Sequence, residues 1–136
     1  MTATLAHRPL SDSSDSLLRF AIRADATVCA GLGLMLAFAA DPLSRLSGLS
    51  ATAEWLTGAA LVVYGAVLYV LAAVPLVRRV GVGIVMLNVV AAVGLGGVVV
   101  AGLLPLTGTG VAMMLTTVAA TLGLARLQYL GVRRLA

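Results

Sequence analysis

Four residues set in apolar surroundings carry most of the chemistry this sequence could perform: Asp25, Tyr69, Asn88 and Arg126. A carboxyl, a phenol, an amide and a guanidinium at one depth could bind a solute or an ion. They could equally tie helices together in a fixed register. An ionisable group inside hydrocarbon is costly, and its default reading is functional. Other catalytic sets are missing. Thr116, Thr117 and Thr121 have no histidine or paired carboxylate near them in the pattern, so no activated nucleophile is expected. Such threonines usually bond back to their own helix. Gly94-Leu95-Gly96-Gly97 is glycine-rich, but it follows no strand and so is not a phosphate loop. His7 stands alone, which argues against zinc or haem ligation. Cys29 is the single cysteine, so it forms no intrachain disulfide and reads as a small buried hydrophobe. Met35, Met86, Met113 and Met114 read as lipid-facing or gap-filling side chains rather than a metal path. We therefore expect no enzyme, no cofactor and no metal.

The elements that must position these residues follow from composition. Of 136 residues 61% are hydrophobic and 10% charged, and the mean hydropathy is +1.11. Soluble domains carry about 25% charged residues. Fourteen charged side chains, nine basic and five acidic, could not cover a water-facing surface. That excludes a soluble globular domain, a disordered chain and a nucleic-acid-binding domain. The pI near 10.2 does not reverse this, because the arginines sit at the ends of apolar runs instead of on a polar face.

The fold class expected is all-α, a transmembrane four-helix bundle. About 20 apolar residues cross a hydrocarbon core of about 30 Å, and four segments qualify, at about 17–40, 55–77, 80–104 and 108–130. Asp41-Pro42, Arg78-Arg79 and Pro105 with Thr107-Gly108 separate them. Residues 1–16, rich in serine and aspartate, read as a flexible cytoplasmic tail ahead of a 17–136 membrane domain. Ala37-Phe38-Ala39 resembles a signal-peptidase site, but the apolar stretch before it is long for a signal peptide. Arg8, Arg19, Arg23, Arg78, Arg79, Arg126, Arg133 and Arg134 fall on one side and Arg45 alone on the other. By the positive-inside rule both termini are cytoplasmic, in the inner membrane of a bacterium. Trp55 then suits the outer interface and Tyr129 the inner one. Glu54, at the outer start of the second span, suits a helix N-terminus.

The chain also carries an internal duplication. Gly31-Leu32-Gly33 with Pro42-Leu43 recurs 63 residues later as Gly94-Leu95-Gly96 with Pro105-Leu106, and the same offset sets Asp25 against Asn88. Val77-Arg78-Arg79 and Val132-Arg133-Arg134 close the two units alike. Two helical hairpins of equal orientation form a parallel repeat. Small residues let backbones approach in lipid. The ridge Asp25, Cys29, Gly33, Ala37 has a counterpart in Asn88, Ala92, Gly96. Gly97 with Ala101, and Gly58 with Gly65, add further packing positions.

Depth arithmetic joins the polar residues. Asp25 lies 15 residues from Ala40, Asn88 16 from Leu104 and Arg126 18 from Gly108. At about 1.5 Å per residue, all three sit roughly 22–27 Å from the outer face. Tyr69, 14 residues from Trp55, falls near the same level. The expected layer pairs Asp25 with Arg126, with Asn88 and Tyr69 bonded nearby, so that Asp25→Asn and Arg126→Gln should cost the same. The competing reading lets Arg126 snorkel to the interface and Asp25 bond locally with Arg23 or the helix start.

The layout, with Leu18-Arg19 to Arg23-Ala24-Asp25 in the first span and Leu127 to Arg134 (LQYLGVRR) at the end, resembles small four-span integral membrane proteins of actinobacterial type. That resemblance implies the four-span fold and carries no activity. Small multidrug transporters share size and span number but use a deep glutamate in the first span, which is absent here. Two functions are expected to compete. One is an accessory or assembly subunit that packs helices against a larger membrane complex or a second copy of itself. The other is a small transporter or binder of a hydrophobic solute or lipid, working through the polar layer. A cavity reaching that layer would favour the second. A closed layer with an exposed small-residue face would favour the first.

Overall fold

The structure is a computed structural model that describes residues 14–136. Most of the expected N-terminal tail, with His7 and Arg8, lies outside the described residues. Among the described residues the chain forms five helices and no strand: α1 (Ser16–Phe38), α2 (Ala40–Ser47), α3 (Ala51–Leu71), α4 (Val77–Val100) and α5 (Gly108–Arg133). All but α2 are long and apolar enough to cross a membrane. Their 21–26 residues give lengths of roughly 32–39 Å.

The helix boundaries refine the expected spans. Asp41-Pro42 does not stand in a loop. The first helix ends at Phe38, and Asp41 and Pro42 lie in the first turn of α2, where a proline sacrifices no helical hydrogen bond. Gly48, at φ 88°, ends α2 in the left-handed region that glycine tolerates. Ser50 caps α3 by accepting from the Ala53 N–H at 3.1 Å, so α3 starts four residues earlier than expected. Arg78-Arg79 is not a separator. The turn comes before it, around Ala72–Leu76, and both arginines sit in the first turn of α4. Thr107 caps α5, accepting from the Gly110 N–H at 2.9 Å.

The helices pack in the order α3–α1–α5–α4, with α1 also touching α4. The first pair is zipped by glycine. A Cβ on Gly33 would lie 2.6 Å from the Gly58 carbonyl oxygen, and one on Gly58 would lie 2.5 Å from the Gly33 oxygen. Gly65 meets Ala26 and Ala30 in the same way. This is the close backbone approach that small residues permit in lipid. The largest apolar core gathers near the arginine-rich end, around Leu18, Ile22, Ala26, Leu68, Ala72, Val77, Ile84 and Val132. At the opposite end α2 lies across α3 and α5. There Thr107 N–H donates to the Ser47 carbonyl at 3.0 Å, and Thr107 Oγ1 donates to the Leu46 carbonyl.

Candidate functional site

Asp25 is the centre of the site. It lies in α1 one turn from the buried Ala21 and Ile22, so the core-facing phase of α1 carries its carboxyl inward. It is 3% exposed, Asn88 5% and Gln128 0%. Asn88 enters from α4 on the buried face of Gly81, Ile84 and Ala92. Gln128 enters from α5 on the face of Ala125, Gly131 and Val132.

Asn88 Nδ2 donates to Asp25 Oδ2 at 2.8 Å. Gln128 Nε2 donates to the same oxygen at 2.7 Å. Asn88 Nδ2 also donates to Gln128 Oε1 at 3.0 Å, and Cys29 Sγ donates to Asp25 Oδ1 at 3.4 Å. From α3, the Tyr64 hydroxyl donates to Asn88 Oδ1 at 3.3 Å. Each of the four long helices thus gives one polar side chain to a single network, and α1 adds Cys29. No buried side-chain nitrogen or oxygen among the described residues lacks a partner. In a low-dielectric interior a fully satisfied network fixes one arrangement, because any slip leaves polar groups unpaired.

Asp25 and Asn88 therefore meet as the depth arithmetic implies. The other two expected members do not join them. Tyr69 is 59% exposed on the outer side of α3, five residues from Tyr64, which makes the contact. Arg126 is exposed on α5, two residues from Gln128 and on the opposite side of the helix. The expected Asp25–Arg126 pair is thus replaced by Asp25–Gln128. The physical reason is helical phase: residues two apart on a helix differ by about 200°. Among the described residues the one ion pair is Arg19–Asp15 at 3.0 Å.

Of the expected packing positions, Gly33, Gly58 and Gly65 are buried in the α1–α3 crossing, and Ala92 is buried in α4. Cys29 and Ala37 are half-buried. Gly96, Gly97 and Ala101 behave differently. A Cβ on Gly96 or Gly97 meets nothing within 4 Å, and Gly97 and Ala101 are exposed. Gly83 and Gly94 on the same helix are equally open.

Two further polar ties were not singled out by the sequence. Arg19 Nη1 donates to the carbonyls of Ala72 at 2.7 Å and Val74 at 3.0 Å, latching the α3–α4 turn to α1. Ser47 Oγ donates to Glu54 Oε1 at the opposite end, where Glu54 is 4% exposed. Arg19 could have been flagged as a basic residue one turn inside a span with free carbonyls at the neighbouring helix end.

Chemically the central network is a closed set of hydrogen bonds. Shallow grooves on the surface of the described residues, including one between α1 and α3, are not lined by Asp25, Asn88 or Gln128. Three threonine hydroxyls of α5 are spent on their own helix: Thr116 donates to Ala112, Thr117 to Met113 and Thr121 to Thr117 carbonyl oxygens, at 2.8–3.0 Å. No protein-family model, curated protein or solved structure matches this chain. What its residues and geometry establish is a small protein, all-helical among the described residues, with four helices of membrane-crossing length.

Proposed function

We propose that this chain is a non-enzymatic membrane module, an accessory or assembly subunit that works by packing one of its helices against a partner helix in the bilayer. The observation that carries this reading is the contrast on α4. Its buried face closes on Asn88, while its other side leaves Gly83, Gly94 and Gly97 with no neighbour within 4 Å of an added Cβ. Glycine costs about 1 kcal/mol relative to alanine in a helix interior, and nothing in the monomer's own packing compensates at these positions. A partner helix approaching closely would. The burial of Asp25, Asn88 and Gln128, whose bonds are made to one another, counts against the transporter reading.

In the same reading the protein lies in the bacterial inner membrane with both termini cytoplasmic. Arg19, Arg23, Arg78, Arg79, Arg126, Arg133 and Arg134 gather at one end of the bundle and Arg45 at the other, which supports that orientation. The two hairpins descend from one duplicated unit. The parallel, side-by-side placement of Asp25 and Asn88, bonded across 63 residues, supports this.

Gly94→Leu provides the test. Gly94 is exposed and an added Cβ meets nothing within 4 Å, so the thermal unfolding midpoint in detergent should move little. Native mass spectrometry from mild detergent should show an assembly for the wild-type chain that Gly94→Leu loses. A wild-type chain that flies as a bare monomer, or an assembly that survives Gly94→Leu and Gly97→Leu alike, contradicts the proposal.

A further inference from the structure

A second surface feature lies on the other side of the molecule and is independent of α4. A groove of about 580 Å³ runs between α1 and α3, lined by Ala26, Thr27, Ala30, Gly31, Val62, Gly65, Ala66, Tyr69 and Val70. Its volume is within the range of small-molecule sites, about 300–1,000 Å³. Its walls are almost wholly apolar, and its width comes from small residues: Gly31 has nothing within 4 Å of an added Cβ.

One end of this groove is polar. Tyr69 lies in its lining and is 59% exposed. The α1–α3 register is antiparallel: Gly33 faces Gly58 and Val62, Gly65 faces Ala26 and Ala30, and Arg19 reaches the Ala72 carbonyl. Continuing that register sets Arg23 level with Tyr69. Arg23 is four residues before Thr27, so it stands on the same stripe of α1, directly beyond the groove's end. It is exposed, and its guanidinium has no ion pair among the described residues. The feature is therefore an apolar trough of about two helical turns that ends, near the arginine-rich end of the bundle, in a phenol and a cation with no ion pair among the described residues.

We infer that the α1–α3 groove binds an anionic phospholipid, with an acyl chain along Gly31, Ala30 and Val62 and the phosphate at Arg23 and Tyr69. Charge complementarity selects this occupant. A protein helix laid in the groove would cover Arg23 and demand a carboxylate partner at one register. A lipid brings phosphate and chain together. A guanidinium near an anionic headgroup contributes about 1 kcal/mol, and Tyr suits the interface.

The experiment is lipid titration of the purified full chain, read by native mass spectrometry, with dioleoylphosphatidylglycerol and dioleoylphosphatidylcholine as probes. The wild-type chain should retain phosphatidylglycerol in preference to phosphatidylcholine. Arg23→Gln should lower phosphatidylglycerol occupancy about fivefold and erase the headgroup preference. Gly31→Leu, whose Cβ meets nothing within 4 Å and whose side chain enters the groove, should lower occupancy by both lipids. Arg78→Gln, a control arginine away from the groove, should leave the preference in place. Unchanged binding in both Arg23→Gln and Gly31→Leu overturns the site. So does a preference that falls equally with Arg78→Gln, or a groove that captures a polypeptide in place of lipid. Because neither variant touches α4, loss of lipid with assembly intact is distinct from failure of the packing role.

Discussion

Gly33 and Gly96 each stand eight residues beyond the polar side chain that their helix gives to the central network, Asp25 in α1 and Asn88 in α4. Their fates differ. Gly33 is pressed against the backbone of Gly58 and Val62, whereas a Cβ on Gly96 would meet nothing within 4 Å. The difference extends along both hairpins. The α1–α3 pair is closed by Gly33, Gly58 and Gly65. In the α4–α5 pair no residue from Val93 to Val100 is buried, nor any on α5 between Gly110 and Ala125. The first hairpin spends Gly33, Gly58 and Gly65 on its own helix crossing, whereas α4 leaves Gly83, Gly94 and Gly97 open. Similar sequence patterns can serve opposite purposes, and the neighbour's position decides which.

The largest effect should separate these two glycines. Gly33→Leu drives a side chain into backbone that cannot yield, and should cost at least about 3 kcal/mol or abolish the folded state. Gly96→Leu should stay within about 0.5 kcal/mol. Unfolding in mild detergent checks both, and equal costs would erase the contrast between the hairpins.

The next effect concerns the network that joins them. Asn88→Leu leaves Asp25, Gln128 and Tyr64 each short of a partner, and should cost about 2–4 kcal/mol. Arg126→Gln, at an exposed position, should cost no more than about 0.5 kcal/mol. A double-mutant cycle sharpens this: Asp25→Ala with Gln128→Ala should couple by about 0.5–3 kcal/mol, and Asp25→Ala with Arg126→Ala should be additive. Coupling to Arg126 would restore the salt bridge that the sequence suggested.

A smaller loss is expected from Arg19→Gln. It removes charge-assisted bonds to the Ala72 and Val74 carbonyls, in a side chain 23% exposed and so partly screened. About 1–2 kcal/mol is expected, with earlier hydrogen exchange confined to the α3–α4 turn. Uniform exchange across the bundle would show that Arg19 latches nothing locally.

Depth was legible in the sequence and azimuth was not. Counting residues along each span sets Asp25, Asn88, Arg126 and Tyr69 at one level. Two of them, Asp25 and Asn88, the main polar residues in their spans, bond to each other. In α5 a charged residue drew attention from Gln128, and in α3 the depth count favoured Tyr69 over Tyr64. The missing signal was phase. Ala125, Gln128, Gly131 and Val132 share one face of α5, and Arg126 is on the other. Nearly uniform apolarity around α3, α4 and α5 hides that face, since lipid-facing and core-facing residues look alike when the surroundings are oil. The four spans were legible because length and hydropathy alone specify them. The short helix α2 was not, because Asp41-Pro42 reads as a stop signal and serves equally as a helix start.

The most direct test is cysteine cross-linking in native membranes. In a Cys29→Ser background, single cysteines at Gly94 and Gly97 on α4 are compared with one at Val63 on the outer side of α3. If the open glycines of α4 are a helix-docking face, Gly94→Cys and Gly97→Cys should cross-link rapidly to a neighbouring membrane helix while Val63→Cys stays free. If all three remain free, or all three react alike, α4 carries no docking face and its glycines have no partner.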